Sequence, residues 1–172
     1  MIGAYFNFIS AVQRLIFGNE VEGYNLPLGV IVHLYRDIAA RKPGHLSHIG
    51  LGTLVDLRFG AGKLNPRTTE DLVELHRIGG SDYLFSKAPP INVCIIRGTT
   101  TDPDGNITIE REGLTITALS MAMATHNSGG LVIAQVERIA ERHTLNPHQV
   151  TIPSPLVDLI VVAPPEDHSQ TY

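Results

Sequence analysis

The stretch that decides the fold is Ile91-Asn92-Val93-Cys94-Ile95-Ile96-Arg97-Gly98-Thr99-Thr100-Thr101-Asp102-Pro103-Asp104-Gly105-Asn106. Its first part is a short apolar run rich in β-branched residues, which is typical of a buried strand. The run ends in an arginine, a glycine and three threonines, and the Asp-Pro-Asp-Gly-Asn cluster after them predicts a turn. Because ligands collect beyond the carboxyl ends of strands in open α/β sheets, this strand end is a place where a site could lie.

The rest of the chain alternates between helical and extended patterns. Helices are predicted over 11–17, 30–40, 69–75 and 114–124, and further strands over 21–26, 83–86, 131–136, 150–152 and 157–162. Residues 46–59 contain Gly50-Leu51-Gly52-Thr53 and predict a loop that approaches another group closely. This alternation predicts an α/β fold with a largely parallel sheet, into which an antiparallel hairpin can be inserted.

Composition excludes several classes of function. The chain has 172 residues, of which 43% are hydrophobic and 17% charged, and a net charge of −4, which gives no support to nucleic-acid binding. No apolar run approaches the ~20 residues that span a bilayer, and the amino terminus lacks the features of a signal peptide. The single cysteine, Cys94, excludes an internal disulfide, favours the cytoplasm and is predicted to be a core residue.

The first residues, 1–9, are unusually apolar for a chain terminus. This composition predicts that they pack inside something larger. We therefore expect exposed apolar surface near residues 2–9 in the isolated chain, and self-association as a consequence.

Local motifs for catalysis are weak. His45 and His48 are the only close histidine pair, and they lack a nearby cysteine or carboxylate with ligand spacing, so no metal site is predicted. Gly50-Leu51-Gly52 lacks the third glycine of a dinucleotide fingerprint. Arg97 ends a predicted buried strand, and an arginine in this position usually has an anionic partner. That partner is either a ligand carboxylate or a structural residue such as Asp158.

The charged residues after the strand 131–136 have a simple interpretation. Glu137 and Glu141 alternate with Arg138 and Arg142. This spacing predicts a solvated helical turn whose charges pair with one another rather than an acid/base site.

Six ordered segments together resemble one family: residues 22–30, 50–56, 62–65, 96–100, 127–130 and 135–138, which read EGYNLPLGV, GLGTLVD, GKLN, IRGTT, NSGG and QVER. They are similar to the acetate/propionate CoA-transferases, the glutamate-dependent family I enzymes, of the long single-chain type. The resemblance covers the later part of the α half only. It implies a three-layer α/β fold of the sugar-phosphate isomerase type, incomplete at its amino terminus, with a partial domain over 1–163 and a truncated linker over 164–172.

The resemblance also implies an activity. Such enzymes move CoA between a short-chain acyl-CoA and an acetate-type acid, with coenzyme A as a substrate and no cofactor. Their nucleophilic glutamate lies in a β half, and no glutamate of this chain matches it, so the chain has no catalytic residue of its own and is expected to be inactive alone. Its implied partners are the acyl-CoA and carboxylate substrates together with the missing β half.

The site residues that the resemblance implies lie in two segments. Asn25, Pro27, Leu28 and Gly29 form the first, and Gly50, Gly52 and Thr53 form the second; together they wall the acyl pocket. The sequence departs from the family at Leu28, where the family has a glutamine whose amide can donate to the acyl oxygen. Asp56-Leu57-Arg58 replaces Asp-Pro-Arg, and Ser154-Pro155 alters a Pro-Gly turn.

Two other hypotheses remain open. One is a non-catalytic remnant or interaction protein. The other is a small isomerase-like enzyme, which would need its own acid/base pair at the strand ends, and no such pair stands out in the sequence.

Overall fold

The computed structural model describes residues 1–7, 9–115 and 117–168. The chain divides into two compact units, Met1–Asp37 with Lys42–Pro89 and Ile38–Arg41 with Pro90–Tyr172. Each unit has its own cluster of buried apolar side chains. The mixed α/β class that the sequence predicts is confirmed.

The helices are α1 (Ser10–Phe17), α2 (Leu28–Ala39) and α3 (Ala118–Asn127), and the strands are β1 (Ile2–Gly3), β2 (Tyr24–Asn25), β3 (Gly44–Ser47), β4 (Val73–Ile78), β5 (Ser81–Lys87), β6 (Val93–Arg97), β7 (Thr100–Thr101), β8 (Ile107–Thr108), β9 (Leu131–Val136), β10 (Arg138–Ile139), β11 (Val150–Ile152) and β12 (Leu159–Val162). The helices predicted over 11–17 and 30–40 are confirmed. Their ends follow from the backbone, because Asn19 and Arg41 adopt positive φ angles of 58° and 56° just beyond them. The helix predicted over 114–124 begins later, at Ala118.

The first unit contains an antiparallel sheet in the order β3-β5-β4. A two-residue turn joins β4 to β5, and Gly79 and Gly80 both have positive φ there, as tight hairpins of this handedness require. Earlier in the chain, β1 pairs in parallel with β2. One core cluster of the unit contains Leu26, Val55, Ala61, Val73 and Leu84.

Two predictions for the first unit are wrong. Residues 69–75 are not a helix: β4 starts at Val73, whose side chain is fully buried, and its whole length pairs with β5. This ladder and the burial of Val73 outweigh the acidic cap pattern that favoured a helix. The structure also forms strand β3 at Gly44–Ser47, where the sequence predicted a helix stop followed by a loop.

The second unit contains a wholly parallel sheet in the order β12-β9-β6 and a mixed sheet in the order β10-β7-β8-β11. Helix α3 packs on the parallel sheet, and Ala122 joins Cys94, Ile96 and Val132 in the core. Cys94 is therefore the core residue that the sequence predicts, and its burial raises the pKa of the thiol.

The first and the last described residues differ in exposure. Met1, Ile2, Tyr5 and Ile9 expose apolar surface, as predicted, and Phe8 lies outside the described residues. Near the other end, Pro165–Asp167 forms a short 3-10 turn and His168 is buried. The linker over 164–172 stays a prediction, and residues 169–172 lie outside the described part. No helix among the described residues has the length and apolar character needed to cross a bilayer.

Candidate functional site

The two predicted substrate-binding segments lie together in the first unit, and Gly62 joins them. The backbone N–H of Asn25 donates to the Gly62 carbonyl at 2.7 Å, and the N–H of Gly62 donates to the Leu54 carbonyl at 2.8 Å. Gly62 has a φ of 72°, and a Cβ there would collide with the Asn25 carbonyl. The glycine thus allows the close approach that brings the loop after β3 against the end of β2.

The first segment runs from β2 into helix α2. The side chain of Asn25 donates from Nδ2 to the Ala4 carbonyl at 3.3 Å, and Leu26 anchors the segment in the core. The Pro27 carbonyl accepts from the Ile31 N–H and begins the first helical turn. Leu28 follows with 53% of its surface exposed. The side chain that replaces the family's glutamine therefore points a purely apolar group outward.

The second segment is a loop shaped by its own backbone and hydroxyl groups. Gly50 and Gly52 have φ angles of 99° and 71°, which favour glycine. Thr53 donates from Oγ1 to the Gly50 carbonyl at 2.7 Å, and the same hydroxyl accepts from the Val55 N–H at 3.3 Å. The hydroxyl of Thr53 is thus committed to the shape of the loop.

The fully buried carboxylate of Asp56 holds this loop. It accepts from the Gly52 N–H at 2.9 Å and from the Arg58 N–H at 3.0 Å. The Arg58 guanidinium adds two contacts, from Nη2 at 2.6 Å and from Nε at 3.0 Å. Hydrogen bonds from Arg58, followed by those from the two backbone amides, hold the pKa of Asp56 well below its usual range. Asp56 is therefore a fixed anion that shapes the loop rather than a group that exchanges protons.

Two glycines of the predicted site have open space around them. A Cβ added to Gly29 or to Gly52 would meet no heavy atom within 4 Å among the described residues. A larger residue would therefore fit at position 29 without a steric clash within the chain. At position 52, only the positive φ favours glycine. The hairpin glycines Gly79 and Gly80 are equally open, so this space leaves room for another molecule but does not by itself identify a binding site.

The strand end at Arg97 behaves differently from the predicted site. Arg97 does not contact Asp158, whose Oδ2 accepts instead from the Val132 N–H at 2.7 Å. The guanidinium lies 3.6 Å from Oε1 of Glu112 and donates to the His168 carbonyl at 3.4 Å. A carboxylate of the chain itself thus lies beside Arg97, as one of the two predicted alternatives has it, but it is Glu112, and the choice of Asp158 as the example is wrong. The sequence predicts that Arg97 has an anionic partner, but no local pattern identifies Glu112 or His168 as residues that contact it.

The threonines after Arg97 are also used internally. Oγ1 of Thr99 accepts from the Arg111 N–H, and Thr100 donates from Oγ1 to Glu110. Thr101 is buried and donates to the Asp102 carbonyl. These hydroxyls satisfy the buried backbone and side chains of the fold, so the strand end serves as architecture.

The charged run 137–142 is not the self-paired helical turn that the sequence predicts. Arg138 belongs to strand β10 and pairs with Glu110, whereas Glu137 pairs with Arg111 at 2.8 Å. Arg142 pairs with Asp104. The charges find partners on other segments because the chain is extended at this point rather than helical.

The two histidines of the close pair in the sequence, His45 and His48, contact different residues. Nδ1 of His45 lies 2.7 Å from Oδ2 of Asp37, and its ring stacks on His33 with the centroids 5.1 Å apart. The ring of His48 packs on Tyr83 instead. Burial raises the pKa of Asp37, but hydrogen bonds from Lys42 and His45 outweigh it and lower the pKa overall. Within the described residues, no group of three metal-ligating side chains converges.

The predicted site can thus offer shape, backbone groups and apolar surface, but none of its side chains titrates in the neutral range. Asn25, Leu28 and Thr53 include no nucleophile or general base. The site can position a molecule, and covalent chemistry there requires a group from elsewhere.

Comparison with known proteins shows the family to which the chain belongs. Residues 2–163 match the family described as Coenzyme A transferase. The chain is 50% identical over 153 residues to the caffeate CoA-transferase of Acetobacterium woodii, covering 89% of this chain and 29% of that relative. It is 44% identical over 161 residues to the acetate CoA-transferase YdiF of Escherichia coli O157:H7, covering 94% of this chain and 30% of YdiF.

The fold agrees as well. The crystal structure of the YdiF apoenzyme superposes with a TM-score of 0.89 at 42% identity, over 94% of this chain and 31% of the YdiF chain. The chain therefore spans about 30% of the length of these two relatives. With the family matched over nearly the whole sequence and the fold shared, this chain belongs to the coenzyme A transferase family.

Proposed function

We propose that this chain is the later part of the α half of a glutamate-dependent, family I CoA-transferase. It would help to move CoA between a short-chain acyl-CoA, such as propionyl-CoA, and acetate-type acids. Coenzyme A is a substrate in this proposal, and no cofactor takes part. The single observation that supports it most is the loop held by Asp56, which lies against the Asn25 segment while Gly29 and Gly52 stay open.

In this proposal the two segments wall the acyl pocket. The open space at Gly29 and Gly52 leaves room for the acyl group, and the Asp56 clamp keeps the loop in place without an acid/base role. The β-half glutamate attacks the acyl-CoA thioester, forming an anhydride and releasing the CoA thiolate. The thiolate then attacks the glutamyl carbonyl of the anhydride, giving a glutamyl-CoA thioester and releasing the first acid as its carboxylate. A second carboxylate attacks this thioester, and the reverse steps transfer CoA to it and free the glutamate.

In this proposal the glutamate belongs to the β half, in the same polypeptide or in another one, because no group of the predicted site can replace it. The single buried cysteine supports a reducing compartment such as the cytoplasm. We therefore expect the isolated chain to be inactive with propionyl-CoA and acetate.

The test combines the chain with a companion polypeptide, defined as the YdiF chain of Escherichia coli O157:H7 without the region that matches this chain. The two are produced in the same cells and purified together. We expect CoA exchange between propionyl-CoA and acetate in the combination and none by this chain alone. Borohydride should trap the glutamyl thioester in the companion. Turnover by the isolated chain, or a trapped glutamate in it, would overturn the proposal.

Leu28 favours the non-catalytic alternative, because leucine cannot donate a hydrogen bond. A substitution at this position therefore distinguishes an enzyme from a non-catalytic protein. Leu28→Gln restores a donor, and one such donor in an oxyanion hole contributes on the order of a hundredfold to kcat. We expect kcat of the combined protein to rise by one to two orders of magnitude, whereas the matched control Leu28→Met leaves it unchanged. A combination that stays inactive with Leu28→Gln supports a non-catalytic interaction protein.

A further inference from the structure

An open cavity of about 490 Å³ lies between the second half of helix α2 and strand β3. Most of the residues that line it are charged or titratable, and all of them belong to the first unit: His33, Arg36, Asp37, Lys42, Gly44, His45 and Leu46. The volume is in the range of small-molecule sites. None of these residues belongs to the segments that are proposed to wall the acyl pocket, so the proposed function leaves the cavity without a role.

The acid that lines this cavity, Asp37, is already bound on both of its oxygens. Its side chain is only 12% exposed. Oδ1 accepts from Nζ of Lys42 at 2.8 Å, and Oδ2 lies 2.7 Å from Nδ1 of His45. The carboxylate therefore fixes the positions of Lys42 and His45, and its charge is balanced within the chain.

The contact with Asp37 also orients the ring of His45. With Nδ1 at the carboxylate, the other ring nitrogen, Nε2, has no hydrogen-bond partner among the residues that the structure describes. The ring of His33 stacks on that of His45, with the centroids 5.1 Å apart and the planes within 4° of parallel. Across the β-ladder His45 lies beside Ser86, which adds no charge. Two protonated rings at this distance repel each other, and an anion between or beside them offsets that repulsion.

Arg36 supplies a cation that nothing in the described part of the chain neutralises. It follows His33 by three residues on α2, so the two side chains lie on one helix face, and it is exposed. It makes no hydrogen bond or ion pair with a described residue. Lys42 is engaged with Asp37, but its ammonium group has further N–H donors. The cavity thus has an excess of positive charge in a chain whose net charge is −4.

This set of groups matches an oxyanion better than a metal ion. Guanidinium, ammonium and imidazole N–H groups are the donors that bind phosphate and sulfate groups in proteins. A metal would need the lone pairs of both imidazoles to meet at one point, yet the rings of His33 and His45 lie in parallel planes. No group of three metal-ligating side chains converges within the described ranges.

We propose that this cavity binds a phosphate or sulfate group, either as a free ion or on a small molecule, and binds it more tightly as the pH falls. Arg36 and Lys42 hold the oxyanion at any physiological pH. His33 and His45 add charge and N–H donors when they gain protons, which histidines do between about pH 8 and pH 5. The site is separate from the proposed CoA transfer, and neither depends on the other.

The test is a titration of the whole chain with inorganic sulfate, followed by NMR through the backbone amide shifts. Sulfate is the probe because its charge stays constant over the range in which histidines titrate. We expect saturable shifts at the end of α2 and in β3. The affinity should rise on the order of tenfold between about pH 8 and pH 6, since charged donors of this kind each contribute about that factor. Shifts that do not saturate would overturn the proposal.

Two substitutions separate the site from general attraction to a charged surface. Arg36→Gln should weaken sulfate binding on the order of tenfold. The matched control is Arg77→Gln, at an exposed arginine of β4 outside the cavity, which should not change binding. Circular dichroism shows whether each variant is folded, and Lys42→Gln, at a side chain that is 61% exposed, replaces Arg36→Gln if that variant fails to fold. Equal losses of affinity in the cavity variant and in the control would overturn the site.

The pH dependence is tested by the double variant His33→Asn with His45→Asn. The asparagine amides are neutral at every pH and the one at position 45 can still donate to Asp37, so most of the rise in affinity at low pH should disappear. The other histidines of the chain remain, and a rise that survives in this variant would overturn the role of the two imidazoles. Titrations with phosphate and with ADP at one pH identify the source of the oxyanion: tighter binding of ADP supports a group on a small molecule, and equal or tighter binding of phosphate supports the free ion.

Discussion

The loop around Asp56 and the strand end at Arg97 both carry glycines, hydroxyls and an arginine, yet they use them in opposite ways. At the strand end, Gly98 is enclosed, because an added Cβ would collide with Ile107 and press on the Thr108 carbonyl. At the loop, Gly29 and Gly52 have open space beside them. At the strand end, Arg97 lies beside Glu112 and donates to the His168 carbonyl. In the loop, Arg58 binds Asp56, and Gly52 of the same loop has open space beside it. Similar residue types thus serve the packing of the fold where they are enclosed, and in the proposed function they wall the acyl pocket where they are open.

The largest expected effect tests the enclosed glycine. Gly98→Ala adds a Cβ where Ile107 and a backbone carbonyl leave no room, and such overpacking costs about 3 kcal/mol of folding free energy. The matched control Gly29→Ala, in open space at the start of α2, should leave stability unchanged or raise it slightly. Urea denaturation of the three proteins measures the difference. Equal stability of the two variants would break the comparison.

The next prediction concerns the Asp56 clamp and its dependence on pH. The pKa of Asp56 is depressed in the folded state, so the unfolded chain binds the proton more readily. Its stabilisation is therefore complete above the ordinary aspartate pKa of about 3.9 and is lost as the pH falls below that value toward the folded pKa. Asp56→Asn should destabilise the chain at neutral pH, and the gap to the wild type should narrow in acid.

The control for Asp56→Asn is Asp71→Asn. Asp71 is half exposed and pairs with Lys63 at the surface, so its loss should have a small effect at either pH. Thermal denaturation at neutral and acidic pH measures both variants. A gap for Asp56→Asn that stays constant with pH would show that the carboxylate charge does not hold the loop.

The smallest effect is expected for the ion pairs around the strand end. Arg111 pairs with Glu137 but is largely exposed to solvent, so Arg111→Ala should lower stability by less than about 1 kcal/mol. High salt should reduce this difference further, because it screens surface charges. Urea denaturation in low and high salt provides the measurement. A loss as large as that of Gly98→Ala would mean that charge rather than packing stabilises this end of the sheet.

The sequence predicts the regular parts of the fold well and the contacts between distant segments poorly. The apolar runs 91–96 and 131–136 and the helical spacing of 30–40 suffice for β6, β9 and α2, because periodicity and end signals are local. The helix predicted over 69–75 is wrong because residues 73–75 begin strand β4, and this strand depends on pairing with β5, which local propensity does not contain.

The candidate site shows the same limit. The resemblance names Asn25 to Gly29 and Gly50 to Thr53, and the structure brings these segments together at Gly62. Neither the Asp56–Arg58 clamp nor the Glu112 partner of Arg97 follows from spacing, since each depends on how loops fold back. Whether the named residues contact substrate stays a prediction.

The two-residue turn at Gly79-Gly80 has a consequence for the order in which the chain folds. It joins strands that pair between immediate neighbours, such as Ile78 with Ser81, so the hairpin closes with little loss of chain entropy, within microseconds for hairpins in general. The parallel ladder of β6 and β9 must instead bring Val93 to Leu131 across a long connection, which costs more entropy and takes longer. During synthesis the hairpin forms first, and the apolar strands of the second unit are the part of the chain that spends longest unpaired and open to aggregation.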